Sequence, residues 1–426
     1  MQIITAQDLE KTVAERASRL PYSEVLDAVR RIVDDVRARG DLALIDSAAK
    51  YDRVELRLDQ IEVSPEEIDA SVACIPPDLA RAIDYASARV LGFHLATRPQ
   101  DQSCVTPDGA QYVRTVEPLA SAGIYAPKGR SGYPSSVIMC ASAARAAGVQ
   151  DIILCTPPGT QAQVSPAVLY AARVSGVERV FRVGGAAAIA AMGLGTGTVP
   201  RVCKIAGPGN EYVSQAKRLL YGVVGIDLIA GPSEVAVLAD SSADPRLVAA
   251  DLLAQAEHGS NSWAVLITSS CTLAEQVRVE VERAPVEGRV DNVRCVVVPG
   301  IEEGARLVSD LAPEHLEVFV SEPGRVLPLV KNCGAVFIGP WACAPLGDFA
   351  LGPNHVLPTA GAGRFCSGLS AADFIRYVTV STIPGPPDCD LIEASRAIAL
   401  AEGYTRHAEA IVARGASVSE EGGKQA

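Results

Sequence analysis

The sequence predicts an α/β protein of two Rossmann-like α/β domains with small helical modules at its N- and C-termini. Three observations carry this reading. From about residue 119, short β-branched runs alternate with helix-patterned stretches, and a second such series starts with WAVLITS at residue 263. The 426 residues also exceed the roughly 250–300 at which a single core stops growing.

The elements follow in order. Residues 1–20 read as an N-terminal helical segment, and SEVLDAVRRIVDDVRARGD sets Val25, Val29, Ile32 and Val36 at three- and four-residue spacing, with Gly40 as a stop. The first alternating series is GIYAP then SVIMCASAARAAGV, DIILC then SPAVLYAARVSG, and RVFRVGG then AAAIAAMG. Strands separated by helices of this length imply crossovers and parallel sheet. The second series runs WAVLITS, TLAEQVRVEVERA, VRCVVVPG, EEGARLVSDLA, LEVFVSEP and GAVFIG. A glycine-rich connection, GPNHVLPTAGAGRFCSG, leads to a last helical segment, LIEASRAIALAEGYTRHAEAIVARG, and a polar tail, SVSEEGGKQA, expected to fray. Four domain segments result: 1–20; 21–124 with 235–368, which carries the histidine motifs; 125–234; and a C-terminal helical module, 369–426.

Composition excludes several functions. Net charge is −12 with no local Lys/Arg cluster, and aromatic residues are sparse, so nucleic acid is not an expected partner. The richest apolar stretches, such as AAAIAAM at 186–192, fall short of the ~20 residues that span a membrane. The N-terminus lacks a basic-then-apolar export pattern, so a cytoplasmic address is expected. The 11 cysteines are scattered without a CxxC pair, which argues against a disulfide framework and a zinc ribbon.

Four of the five histidines stand in motif-like surroundings, and His94 is read as structural. In DPRLVAADLLAQAEHG, Asp244 caps a helix, Pro245 suits its first turn and Gly259 ends it. Asp251, Gln255 and His258 then line one stripe, where a carboxamide oxygen and an imidazole form half a zinc site. A solvated helix face gives the same pattern. In LAPEHLEV, Glu314 and His315 stand just before a strand, suited to general-base work, although a loop Glu-His pair is as common. In PLGDFALGPNHVLPT, Asp348 and His355 occupy a Gly/Pro-bounded loop that either displays ligands or merely turns. In LAEGYTRHAEA, Glu402 and His407 are five apart on the expected helix and share no narrow stripe. AGPGNEYV and AGPSEV are glycine turns whose backbone NH groups can cradle phosphate oxygens, while GLGTG lacks the full dinucleotide spacing.

Together, LLAQAEHG, LAPEHL, GPNHVLPT and the Glu402/His407 pair make the chain resemble the histidinol dehydrogenase family from about residue 123 to 407. The resemblance implies that Gln255, His258, Asp348 and His407 ligate one zinc ion per subunit. It implies Glu314 and His315 as the acid/base pair, and Ser135, Ser233, His355 and Glu402 as substrate contacts. Tyr125 and Asn210 match positions that touch NAD⁺. The implied enzyme is a homodimer whose C-terminal module is exchanged, so that His407 reaches the partner's zinc, and it oxidises L-histidinol to L-histidine through a retained aldehyde with two NAD⁺. Three departures fall in the cofactor-side domain: Ala187 replaces the family's glutamine, Lys128 a common glycine and Cys203 a common acidic residue. They leave open a homologue acting on another small alcohol, such as sulfopropanediol or a different amino alcohol. A non-catalytic zinc-binding protein is the reading of a different class, and the presence of Glu314 and His315 speaks against it.

Overall fold

The computed structural model describes residues 1–17, 23–129, 131–259, 262–284 and 292–416. Residues 18–22 at the first expected domain boundary and the polar tail from Ser417 lie outside the described residues. The chain opens with β1 (Gln2–Ile3) and α1 (Ala6–Ala17), then α2 (Ser23–Arg39), α3 (Asp41–Ser47), α4 (Pro65–Cys74) and α5 (Pro77–Thr97). β2 (Gln102–Val105) and β3 (Gln111–Pro118) form an antiparallel pair.

The first α/β series is β4 (Ser121–Tyr125), α6 (Pro134–Ala147), β5 (Asp151–Thr156), α7 (Pro166–Val174), β6 (Arg179–Arg182), α8 (Gly185–Leu194), β7 (Lys204–Ala206), α9 (Glu211–Leu220) and β8 (Gly225–Ile226). The second is β9 (Glu234–Ala239), α10 (Pro245–Ala256), β10 (Trp263–Thr268), α11 (Cys271–Arg283), β11 (Val293–Val297), α12 (Ile301–Leu311), β12 (His315–Phe319), α13 (Pro323–Val326), β13 (Ala335–Ile338) and α14 (Ala344–Phe349). β14 (Ile375–Thr382), α15 (Cys389–Ala401) and α16 (Thr405–Ala416) close the chain.

Both series build a parallel sheet with its first strand inside and its second and third strands to one side. The orders are β6-β5-β4-β7-β8 and β1-β11-β10-β9-β12-β13. Every residue of β9 and β10 is buried, which explains why WAVLIT reads as a continuous apolar run rather than an alternation: helices cover both faces. β1 adds an edge strand that the N-terminal helical reading did not contain. Val29, Val33 and Val36 of α2 bury in one cluster with Phe181, Ile189 and Ile205, so the stripe read from the sequence faces the core of the first sheet.

The chain divides into two compact units, one of residues 1–98 and 118–374 and one of residues 99–117 and 375–426. The second unit is not helical throughout, because β14 lies beside β3 in a three-stranded sheet. There the Arg114 guanidinium stacks 3.7 Å from the Tyr377 ring centre, and Thr115 Oγ1 donates to the Val378 carbonyl at 3.2 Å. Two expectations about helix ends are corrected. Glu402 and His407 do not share one helix: Gly403 at φ 83° breaks it, leaving Glu402 at the end of α15 and His407 in α16. Likewise α10 ends at Ala256, and a single turn, His258 N–H to the Gln255 carbonyl at 3.2 Å, carries His258 beyond it.

Candidate active site

Ala312, at φ 49°, closes α12 in the left-handed region and turns the chain through Pro313 into β12, so Glu314 and His315 arrive at the amino edge of that strand. β9 opens at the same edge, with Val235 opposite His315. The Glu234 backbone serves both residues: its N–H donates to Glu314 Oε2 at 2.9 Å, and its carbonyl accepts from His315 Nδ1 at 3.2 Å. That bond fixes a proton on Nδ1 and aims Nε2 at Asp348 Oδ1, 3.6 Å away.

Burial sets the proton affinities. Glu314 is 6% exposed, and desolvation pushes its carboxyl up to about 7 against the opposing pull of His315 and the Glu234 N–H. Burial alone would lower His315, but the Glu314 carboxylate, 3.6 Å from Nδ1, and Asp348 outweigh it and raise the imidazole to about 9. For Asp348 too, burial favours the neutral acid, and the histidines His315, His355 and His258 together hold the carboxyl below its ordinary value. Two proton-transfer groups with mutually tuned affinities at one strand edge are what general acid/base chemistry requires.

His355, Ser233, Gln255 and His258 belong to the same unit. His355 Nδ1 donates to the Asp348 carbonyl at 2.6 Å, leaving its Nε2 available, and its desolvated ring titrates below the usual histidine range. Ser233 directly precedes β9 and is half-buried. Gln255 is 6% exposed, and its buried Nε2 has no hydrogen-bond partner. His258 is exposed, and its charge acts on both Asp348 and His355. Among the described residues no three His, Cys, Asp or Glu side chains are gathered tightly enough to hold a metal. The imidazole nitrogen of His258 and the side-chain oxygens of Gln255 and Asp348 suit zinc nonetheless. His407 and Glu402 belong to the second unit, where both are exposed and His407 packs on Tyr404, ring centres 5.1 Å apart. Sequence reasoning missed Glu234, whose only signal is an acid opening an otherwise apolar strand. It also missed Glu317, which is fully buried and accepts the Ala344 N–H at 2.6 Å, holding the helix that carries Asp348.

The first sheet presents its carboxyl edge instead. Tyr125 ends β4, and its buried hydroxyl accepts the Gly185 N–H at 3.1 Å, at the start of α8. Gly207, at φ 128°, passes so close to β4 that a Cβ there would collide with the Tyr125 carbonyl, which explains the glycine of AGPGN. Lys217 Nζ donates to the Gly207 carbonyl at 2.5 Å and to Asp227 Oδ1 at 2.6 Å, while Asp227 Oδ2 accepts the Gly207 N–H at 2.8 Å. Asn210 then caps α9 through Val213 N–H at 3.2 Å, and Ser135 is buried in the first turn of α6. Three helix N-termini at one edge, with a glycine backbone between them, suit a dinucleotide's phosphates. Of the three departures, Ala187 and Lys128 lie at this edge, but Cys203 precedes β7 at the opposite one.

A sheet wound from its interior strand, with such a carboxyl edge and an acid/base pair elsewhere in the same unit, defines the Rossmann-like α/β oxidoreductases. A profile of histidinol dehydrogenase matches residues 15–415. The histidinol dehydrogenase of Gluconobacter oxydans is 42% identical over 96% of this chain and 96% of its own length, and that of Methanosarcina barkeri is 42% identical over 92% of each. A solved histidinol dehydrogenase from Elizabethkingia anophelis matches with a TM-score of 0.91 at 33% identity, covering 96% of both chains. The chain therefore belongs to the histidinol dehydrogenase family and is an NAD-dependent oxidoreductase. No described helix is long and apolar enough to cross a membrane.

Proposed function

We propose that the protein oxidises L-histidinol to L-histidine in two hydride-transfer steps through histidinal, in histidine biosynthesis. The observation that carries this reading is the buried Glu314–His315 pair with the half-buried Asp348 beside it at the amino edge of β12, in a chain of this family. Gln255, His258, Asp348 and, in an exchanged homodimer, His407 of the partner subunit would hold zinc, which when bound would anchor the substrate's amine and imidazole nitrogens.

The first oxidation needs the hydroxyl proton removed as hydride leaves, and His315, held in register by its Nδ1 bond to Glu234, takes that proton on Nε2 in its neutral form, which zinc at Asp348 would favour by offsetting carboxylate charge that otherwise keeps the ring protonated. The second needs water added to the aldehyde, and Glu314, anchored by one oxygen to the Glu234 N–H, deprotonates it with the other. The hydrate then loses hydride and gives the acid. NAD⁺ supplies the hydride acceptor in both steps. His355 and Ser233, with Ser135 and the C-terminal Glu402, orient the substrate. Steady-state turnover of L-histidinol with NAD⁺, read by NADH absorbance against a panel of amino alcohols and sulfopropanediol, tests the reading. Two NADH per histidinol are expected, and preference for another alcohol would reject it.

A further inference from the structure

In the doubly wound arrangement, specificity for NAD⁺ ordinarily comes from an acidic residue at the end of the second strand, where its carboxylate accepts from the adenosine ribose hydroxyls. Here the second strand is β5, and it runs out into Thr156, Pro157, Pro158, Gly159 and Thr160 without an acid. Another part of the chain supplies one. Asp52 Oδ2 lies 3.1 Å from where a Cβ on Gly184 would project, and the Pro157 ring is 3.0 Å from that same point. The carboxylate thus stands beside the ends of β5 and β6, next to the first turn of α8.

The local backbone is built to present it. After α3 the chain makes a π-helical turn, Ala48–Asp52, whose wider winding is characteristic of functional positions, and Arg53 closes it in the left-handed region at φ 58°. Val54 and Leu56 bury immediately afterwards and anchor the turn. The half-buried Asp52 carboxyl makes no hydrogen bond among the described residues, and desolvation raises it to about 6 while the charge of Lys128, across the edge, opposes that rise. A partly desolvated acceptor with nothing to accept from is the chemistry that a pair of sugar hydroxyls satisfies. Ala187, buried in the first turn of α8, offers no side-chain hydrogen bond, so recognition at this edge falls to other residues.

We infer that Asp52 is the cofactor-specificity residue of this enzyme, accepting from the vicinal hydroxyls of the adenosine ribose of NAD⁺ and repelling the 2′-phosphate of NADP⁺. The inference rests on placing the dinucleotide at the carboxyl edge of the first sheet, and hydrogen–deuterium exchange of the wild type with and without NAD⁺ examines that placement separately. Protection of residues 48–54, 183–188 and 206–213 is expected, and protection that spares all three segments overturns both the placement and the role of Asp52. Isothermal titration of NAD⁺ and NADP⁺ into the wild type, Asp52→Asn and Asp52→Ser then addresses Asp52 itself, with thermal unfolding and L-histidinol binding as controls for the fold. NAD⁺ is expected to bind about 10- to 100-fold more weakly in both variants, as for a lost hydrogen bond to a charged group. NADP⁺ affinity is expected to hold or rise, so the preference ratio falls at least tenfold. Equal weakening of the two dinucleotides, or NAD⁺ affinity within about twofold of wild type, overturns the assignment with the placement intact.

Discussion

The two parallel sheets share the order of their five α/β-series strands, with β1 as an added edge on the second, and are used at opposite ends. The first offers the carboxyl ends of β4, β6 and β7, where α6, α8 and α9 begin. The second gathers its polar side chains at the amino ends of β9 and β12, where α10 and α12 finish. A helix carries roughly +0.5 charge at its start and −0.5 at its end, so identical topologies present opposite fields at these two edges. The first suits pyrophosphate. The second, already crowded with Glu234, Glu314 and Asp348, suits cations, and the proposed reaction brings two there, zinc and the substrate's amine. Strand order alone therefore does not say which end of a sheet is functional. The side chains at that end do.

The strongest test of the second edge separates its two proton-transfer groups. His315→Asn should slow alcohol oxidation by roughly 10²–10⁴-fold while sparing oxidation of the aldehyde, and Glu314→Gln should do the reverse. Stopped-flow measurement of each half-reaction, started from histidinol or from histidinal, reads this directly. Equal losses on both substrates in both variants would show that the residues act as one unit.

The first edge is sharpened through Lys217 and Asp227, which are 4% and 1% exposed and hold the glycine turn. Lys217→Met leaves the Asp227 carboxylate buried without its cation, so a loss of about 3–5 kcal/mol in unfolding free energy is expected. Lys217→Met with Asp227→Leu should recover most of that stability but not NAD⁺ affinity, because the turn keeps neither anchor. A double variant that binds NAD⁺ normally would show that the turn needs no fixing.

His94 provides a further pH probe. It is fully buried, and Asn354 Nδ2 donates to its Nε2 at 3.0 Å, with Asp373 the nearby charge. Burial lowers its pKa from 6.5 to about 4. The unfolded chain therefore binds a proton between those values that the fold does not, and stability present above pH 6.5 is lost as pH falls toward 4. The loss from this residue is at most about 3 kcal/mol. Chemical denaturation across that range should show the slope, and His94→Gln should flatten it; an unchanged slope would mean that other groups carry the acid sensitivity.

Legibility in the sequence followed chain distance. LLAQAEHG and LAPEHL could be read because each packs its chemistry into one helix end or strand start. The pairing of Asp52 with Gly184 could not, because the two are separated by four helices, α4 to α7, and five strands, β2 to β6, and meet only through the fold. β7 and β8 showed only as strand-like runs ahead of AGPGNEYV and AGPSEV, because three and two residues are too few for any periodicity. The break at Gly403 was hidden because Glu, Tyr and Thr around it are compatible with a continuing helix, and a single internal glycine costs only about 1 kcal/mol.

The last test concerns whether the second edge is completed within one chain. α15 and α16 expose Ile398, Leu400 and Val412, so the C-terminal unit has apolar surface to cover, as an exchanged module does when docked on a partner. Mixing inactive His407→Ala with inactive Glu314→Ala subunits distinguishes the arrangements. In an exchanged heterodimer one site combines an intact Glu314 with an intact His407, and the other combines both lesions. Random reassortment makes half the dimers mixed with one good site of two, so activity should return to about a quarter of wild type. If each chain completed its own site, every subunit would keep its lesion and mixing would restore nothing.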